Sequence, residues 1–133
     1  MTAYRILLVD DEPHVIRILR LTLEREGYEV RSANDGREAL GVLETYEPEV
    51  MISDIQMAGM DGQELCTTAR ARYPERRFLI MVMTSMTAIE ARGWASALTN
   101  TEFCEKPLSP RKLALRLSAY FATLQTSGDA HDA

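Results

Sequence analysis

Residues 5–11, RILLVDD, form an apolar run that ends in two acids, Asp10 and Asp11. A second apolar run, VMISD at residues 50–54, ends in Asp54. Both runs are apolar enough to be interior strands of a parallel sheet, so we expect all three carboxylates at one edge of that sheet. At ~5 Å and an effective dielectric of ~20, each pair of such charges costs roughly 3 kcal/mol. The sequence therefore predicts that a hard cation binds between them.

Composition and charge exclude several classes of function. The 133 residues suffice for one domain with its own core, and 46% hydrophobic with 26% charged residues is typical of a soluble globular protein. The net charge of −5 argues against direct nucleic-acid binding, which usually needs a basic patch. We find no signal-peptide pattern and no apolar stretch that could span a bilayer, so we expect no membrane association and a cytoplasmic location. Cys66 and Cys104 lack metal-ligand spacing and are expected to be free thiols.

Strand-like runs alternate with stretches of helical periodicity five times along the chain. Strands are predicted over residues 5–9, 28–33, 50–53, 78–83 and 102–105. Helices follow each strand, the weakest of them over residues 88–98. The last helix is expected to end at residue 124, and the polar segment 125–133 to be disordered. This alternation predicts an α/β domain, in which helices cover both faces of a parallel sheet. The functional crevice of such a sheet lies at the carboxyl ends of its strands.

Five side chains fall at or just beyond those predicted strand ends: Asp10, Asp11, Asp54, Thr84 and Lys106. The paired acids can hold Mg²⁺, directly or through water, and Asp54 can supply a further ligand. A carboxylate can also act as a nucleophile and form an aspartyl phosphate. The hydroxyl of Thr84 and the amine of Lys106 can contact phosphoryl oxygens. Taken singly, each residue is explained as a helix cap, a turn former or a solvated charge. Their shared location favours a phosphoryl-transfer site.

The sequence resembles the receiver domain of two-component response regulators from Ile6 to Phe121. The resemblance rests on four blocks in the family's order and spacing: LVDDEP at 8–13, DIQM at 54–57 with GMDG at 59–62, MTS at 83–85 and FCEKPL at 103–108. It implies a flavodoxin-like fold, a three-layer doubly wound (βα)5 sandwich whose five parallel strands have the order 2-1-3-4-5. The receiver domain would cover residues 1–124.

The resemblance also implies roles for the residues around the phosphoryl group. Asp54 would be the phosphoacceptor. Mg²⁺, for which Mn²⁺ can substitute, would be bound by Asp11, Asp54 and the backbone carbonyl of Gln56, with Asp10 assisting mainly through water. Lys106 would contact the phosphoryl group.

Switching and phosphoryl lifetime are assigned by the same resemblance. Thr84 would move toward the phosphoryl group, and Phe103 would turn inward on activation. Gln56 and Met86 would flank the path of the hydrolytic water. Because Met86 cannot position water by hydrogen bonding, we expect slow self-hydrolysis.

The chain departs from the family pattern between residues 86 and 102. Thr99 and Asn100 replace a frequent Gly-Ala pair. Trp94 falls at a position expected to face solvent, where its ring either lies on its own helix or anchors a partner.

The partners implied are a histidine kinase or a histidine phosphotransfer protein as donor, and a downstream protein target or a missing output domain as receiver of the signal. A phosphorylation-dependent homodimer is a further candidate. Such a chain is a switch rather than a conventional enzyme, although it promotes its own phosphorylation and dephosphorylation. Two alternatives remain open. One is a receiver-like interaction module that is never phosphorylated. The other is an aspartate-nucleophile phosphatase, which is less favoured because Asp54-Ile55-Gln56 lacks the Asp-x-Asp pattern.

Overall fold

A computed structural model describes residues 3–57, 59–84, 93, 98, 100–106 and 109–132, with side chains described as far as Leu124. The described strands are β1 (Arg5–Val9), β2 (Glu29–Ala33), β3 (Val50–Asp54), β4 (Leu79–Thr84) and β5 (Thr101–Glu105). The described helices are α1 (Pro13–Arg25), α2 (Gly36–Leu43), α3 (Gly62–Arg72) and α4 (Pro110–Asp132).

The five strands form one parallel sheet in the order β2-β1-β3-β4-β5. Its register pairs Val9 with Ser53 across β1 and β3, and Asp54 with Met83 across β3 and β4. The carboxyl ends of β1, β3 and β4 therefore lie side by side at one edge. The predicted α/β fold and strand order are confirmed.

Apolar residues cover both faces of the central strands because successive side chains of a strand point to opposite faces. Leu7 and Val9 belong to a core cluster that includes residues of α2 and α3. Ile6 and Leu8 belong to a second cluster, which includes residues of α1 and α4. All residues of β3 and β4 are buried. This two-sided burial explains why the central strands are continuous apolar runs, and it produces the three predicted layers.

Two aspartates start the helices on one face of the sheet. The Asp35 carboxylate accepts a hydrogen bond from the Glu38 amide at 2.8 Å, and the Asp61 carboxylate accepts one from the Glu64 amide at 2.8 Å. Side-chain oxygens at this position satisfy amides that have no partner within the helix. Helix α1 starts differently, with Pro13 in its first turn and no side-chain cap. Proline suits that position because its ring fixes the helical backbone angle.

Helix α4 continues through Asp132, past the point where the sequence predicts disorder over residues 125–133. Once a helix has formed, each added residue contributes a further hydrogen bond, so α4 can extend beyond its packed part. The boundary of the packed domain at residue 124 stays a prediction. Most of the predicted helix at 88–98 lies outside the described residues, as do Trp94 and Met86. None of the helices in the described part of the chain has the length and apolar character that a bilayer crossing requires.

Candidate functional site

Three of the predicted site residues line the buried floor of the crevice at the strand ends. Asp10 follows β1, Asp54 ends β3 and Thr84 ends β4, and they are 2%, 2% and 3% exposed. Asp11 and Gln56 are exposed beside them. The crevice therefore combines a water-poor floor with a polar rim that is open to solvent.

The turn after β1 fixes the first acid. The Asp10 amide donates a hydrogen bond to the Ala33 carbonyl of β2 at 3.2 Å, which holds Asp10 at the edge of the sheet. Its Oδ1 accepts a hydrogen bond from the Glu12 amide at 2.9 Å. The side chain thus closes the turn that leads into α1 and is held in one orientation.

The turn after β3 is held by the backbone on both sides. The Ile55 amide donates to the Met83 carbonyl at 3.0 Å, and the Gly62 amide donates to the Ile55 carbonyl at 2.9 Å. A Cβ atom on Gly62 would lie 2.6 Å from the Asp54 carbonyl oxygen and 2.6 Å from the Ile55 Cα. Only glycine allows the first turn of α3 to approach the end of β3 this closely.

Lys106, just after β5, lies against the acid of β3. Its amide donates to the Thr84 carbonyl at 2.9 Å, and its Nζ lies 2.9 Å from Asp54 Oδ1. The same Oδ1 accepts a hydrogen bond from the Gln56 amide at 3.3 Å. The Asp54 side chain is 3% exposed and that of Lys106 is 35% exposed. The structure therefore brings the predicted acid and amine of the site into direct contact.

Electrostatics at the floor of the crevice favour an added cation. Burial raises the pKa of Asp10, and the nearby charge of Asp54 raises it further. The hydrogen bond from the Glu12 amide and the charge of Lys106 lower the same pKa, but the net direction is upward. Carboxylates held in this way stabilise a bound divalent ion, because its charge offsets their repulsion.

A third acid lies close to Asp10 and Asp11 at the start of α1. Asp10, Asp11 and Glu12 each offer a carboxylate oxygen, and these oxygens lie within 4.8 Å of one another. Asp54 is not part of that group, and its Oδ1 faces Lys106 instead. Glu12 is not among the ligands predicted from the sequence. The available signal was its position directly after two acids.

The predicted switch residue Phe103 lies in β5, opposite Val82 of β4. It is half-buried and packs against the core cluster shared with α2 and α3. Its strand ends beside Lys106, so β5 connects the aromatic side chain to the crevice. Met86, which with Gln56 is predicted to set the lifetime of the phosphoryl group, lies outside the described part of the chain.

Comparisons with known proteins agree with this geometry. Residues 6–118 match the response regulator receiver domain family. The alkaline phosphatase synthesis transcriptional regulatory protein PhoP of Bacillus subtilis is 34% identical over 115 residues, covering 86% of this chain and 47% of that protein. This chain thus spans about half the length of that relative.

Two solved structures share the architecture over nearly their whole length. Chemotaxis protein CheY4 of Vibrio cholerae has a TM-score of 0.82 at 31% identity and covers 89% of this chain and 98% of its own. A CheY-like receiver domain protein of Methanospirillum hungatei has a TM-score of 0.85 at 25% identity and covers 95% of this chain and 99% of its own. The family match, the relative and the shared fold agree, so this chain belongs to the response regulator receiver domains, the phosphorylation-dependent switches of two-component systems.

Proposed function

We propose that this chain switches when Asp54 accepts a phosphoryl group from a phosphohistidine. The observation that carries the proposal is the buried Asp54 carboxylate, 2% exposed at the end of β3, with Lys106 Nζ 2.9 Å from its Oδ1. In the transfer, an Asp54 oxygen forms a bond to phosphorus, and the bond from phosphorus to the imidazole nitrogen of the donor breaks. The electron pair of the broken bond stays on the imidazole.

Mg²⁺ fits this site, because carboxylate and carbonyl oxygens are the ligands that it prefers. We expect Asp11, Asp54 and the backbone carbonyl of Gln56 to hold the ion, with Asp10 assisting mainly through water. Mn²⁺ can take its place. The raised pKa of Asp10 supports the assignment, since it reflects burial and a neighbouring negative charge that a cation would offset. When bound, the ion neutralises charge on the phosphoryl oxygens.

The protein's own residues provide the switch. Lys106 pairs with the phosphoryl group, and the Thr84 hydroxyl donates a hydrogen bond to it. Hydrogen bonds to charged groups contribute roughly 1.5–3 kcal/mol each. Moving a two-state equilibrium from about 1:99 to 99:1 needs ~5.5 kcal/mol, so two such contacts are about enough. Thr84 ends β4, which pairs with the strand of Phe103, and this supports a route from the crevice to the outer edge of the sheet.

The donor would be a histidine kinase or a histidine phosphotransfer protein, and the signal would pass to a downstream protein or an output domain. A phosphorylation-dependent homodimer, a cytoplasmic location and slow self-hydrolysis governed by Gln56 and Met86 remain predictions. Of the two residues expected to govern the lifetime of the phosphoryl group, Gln56 is exposed to solvent at the rim of the crevice.

The acceptor assignment is tested by labelling with acetyl phosphate in the presence of Mg²⁺, read out by intact-protein mass. Asp54→Asn should abolish labelling and leave the circular dichroism spectrum unchanged. Asp61→Asn is the matched control: an amide oxygen can still accept the hydrogen bond that starts α3, so labelling should equal that of the natural chain. Stoichiometric labelling of Asp54→Asn would overturn the proposal.

A further inference from the structure

One arginine of α3 joins three parts of the fold on the side of the sheet away from the crevice. Arg70 Nη2 donates hydrogen bonds to the Phe78 carbonyl at 2.7 Å and to the Asn100 carbonyl at 2.8 Å. Phe78 directly precedes β4 and Asn100 directly precedes β5. The guanidinium also lies over the Phe78 ring, with Cζ 4.7 Å from the ring centre. A single side chain therefore connects α3 to the residues just before two neighbouring strands.

The environment of Arg70 is unusual for a cation. In the described part of the chain, its hydrogen bonds end on main-chain carbonyls, the third being that of Arg76 at 3.5 Å. Burial lowers the pKa of Arg70, and its Nε is buried without a hydrogen-bond partner among the described residues. Partial burial of a cation on neutral acceptors costs free energy. The side chain fixes the relative positions of two carbonyls, because the planar guanidinium donates hydrogen bonds in fixed directions.

Asn100 completes the arrangement. Its φ of 51° lies in the left-handed region, which asparagine adopts more readily than most residues. Its Nδ2 donates to the Arg77 carbonyl at 2.7 Å, and its carbonyl accepts the Ile80 amide at 3.0 Å as well as Arg70. The Thr99-Asn100 departure from the family pattern thus places a polar, turn-tolerant residue where β5 begins.

We propose that Arg70 is a positioning residue that, together with Asn100, fixes the start of β5 against α3 and β4, and thereby holds Lys106 in register at the other end of the strand. Strand β5 is at the edge of the sheet, and β4 is its neighbour there. Its residues are half-buried or exposed, whereas those of β4 are all buried. The position of an edge strand with this little burial depends more on the hydrogen bonds at its ends than the position of a buried central strand does. The consequence for signalling rests on the proposed function, but the positioning itself does not.

The test is amide hydrogen exchange by NMR on the unphosphorylated chain, with Arg70→Lys as the variant. Lysine keeps the charge but loses the planar pair of donors. The Ile80 amide bonds the Asn100 carbonyl, whereas the neighbouring Leu79 amide bonds the Glu49 carbonyl on the β3 side at 3.0 Å. We expect exchange to accelerate at least about 10-fold at Ile80 and about 3-fold at Lys106, with Leu79 unchanged.

Two further variants make the result specific. Arg72→Lys makes the same substitution at an exposed position of the same helix and should change none of these rates. Asn100→Asp keeps the tolerance for the left-handed region but removes the donor to Arg77, so Ile80 should again exchange faster. Unchanged exchange at Ile80 or at Lys106 in Arg70→Lys, or equal acceleration at Leu79, would overturn the proposal. Acetyl phosphate plays no part in this measurement, so a failure of the acceptor assignment is detected separately.

Discussion

Gly62→Ala is the substitution that most directly tests how the crevice is built. The added Cβ would lie 2.6 Å from two backbone atoms, the Asp54 oxygen and the Ile55 Cα. Ordinary van der Waals contact begins at 3.4 Å, so relief requires a shift of about 0.8 Å. Neither atom can rotate away as the end of a side chain could. The shift must therefore move α3 away from the sheet or displace the end of β3.

The expected cost follows from this geometry. Overpacking in a well-packed region costs typically ~1–3 kcal/mol, and the better helix propensity of alanine returns at most ~1 kcal/mol. Both close contacts are with backbone, so the upper end of that range applies, and we expect a net loss of about 2 kcal/mol in the free energy of unfolding, which is roughly 30-fold in the folding equilibrium. A domain of ordinary stability, ~5–15 kcal/mol, remains folded after such a loss. Displacement of Asp54 should slow acetyl phosphate labelling by about 10- to 100-fold.

Urea unfolding followed by circular dichroism measures the first effect, and labelling of the folded variant measures the second. Gly41→Ala is the matched control, because its Cβ would meet nothing within 4 Å inside α2. It should stabilise the protein by about 0.5–1 kcal/mol. Gly36→Ala should fall between the two, since its Cβ would meet the movable side chain of Met60 at 2.8 Å. A Gly62→Ala variant as stable as the natural chain would refute the reasoning.

Two further outcomes concern ionisation. Burial raises the pKa of Asp10 above its ordinary 3.8. Between the pKa of the unfolded chain and the higher pKa of the folded chain, the folded chain binds more protons at Asp10, so stability falls as pH rises through this range. Without Mg²⁺, Asp10→Asn should therefore have a higher melting temperature than the natural chain at pH 7. This difference in melting temperature should disappear below the ordinary pKa of Asp10. A lower melting temperature of the variant at pH 7 would contradict the prediction. Burial likewise raises the pKa of Cys66 to about 12, so its thiol stays protonated at pH 8. Iodoacetamide, followed by peptide mass analysis, should modify Cys66 only as the chain unfolds, and rapid modification of the native protein would count against its burial.

The positions of the main acids could be predicted from the sequence because they follow from local constraints. An apolar run that lacks polar alternation must be buried on both faces, which makes 5–9 and 50–54 central strands. Once those strands are parallel, Asp10 and Asp54 necessarily lie at the same edge. Lys106 follows β5, so it lies at this edge too, but its contact with Asp54 also needs a side chain long enough to reach past the end of β4.

Contacts that depend on side-chain reach could not be predicted in this way. The carboxylate of Glu12 lies close to those of Asp10 and Asp11 because of the turn after β1, and the strand pattern does not indicate this. Arg70 gives no periodic signal, because its acceptors are main-chain carbonyls of the residues just before β4 and β5. Helix α4 extends to Asp132 because polar composition indicates poor packing but does not by itself end a helix.

The pairing of β1 directly with β3 has a consequence for how the protein is made. Helix α1, strand β2 and helix α2 lie between them in the chain, so the edge that carries Asp10 and Asp54 can form only after residues 5–54 have all been made. A ribosome-bound fragment that ends before residue 106 has all three aspartates but not the amine that sits against one of them. A nascent or truncated chain that ends there would therefore lack one of the two side chains proposed to contact the phosphoryl group.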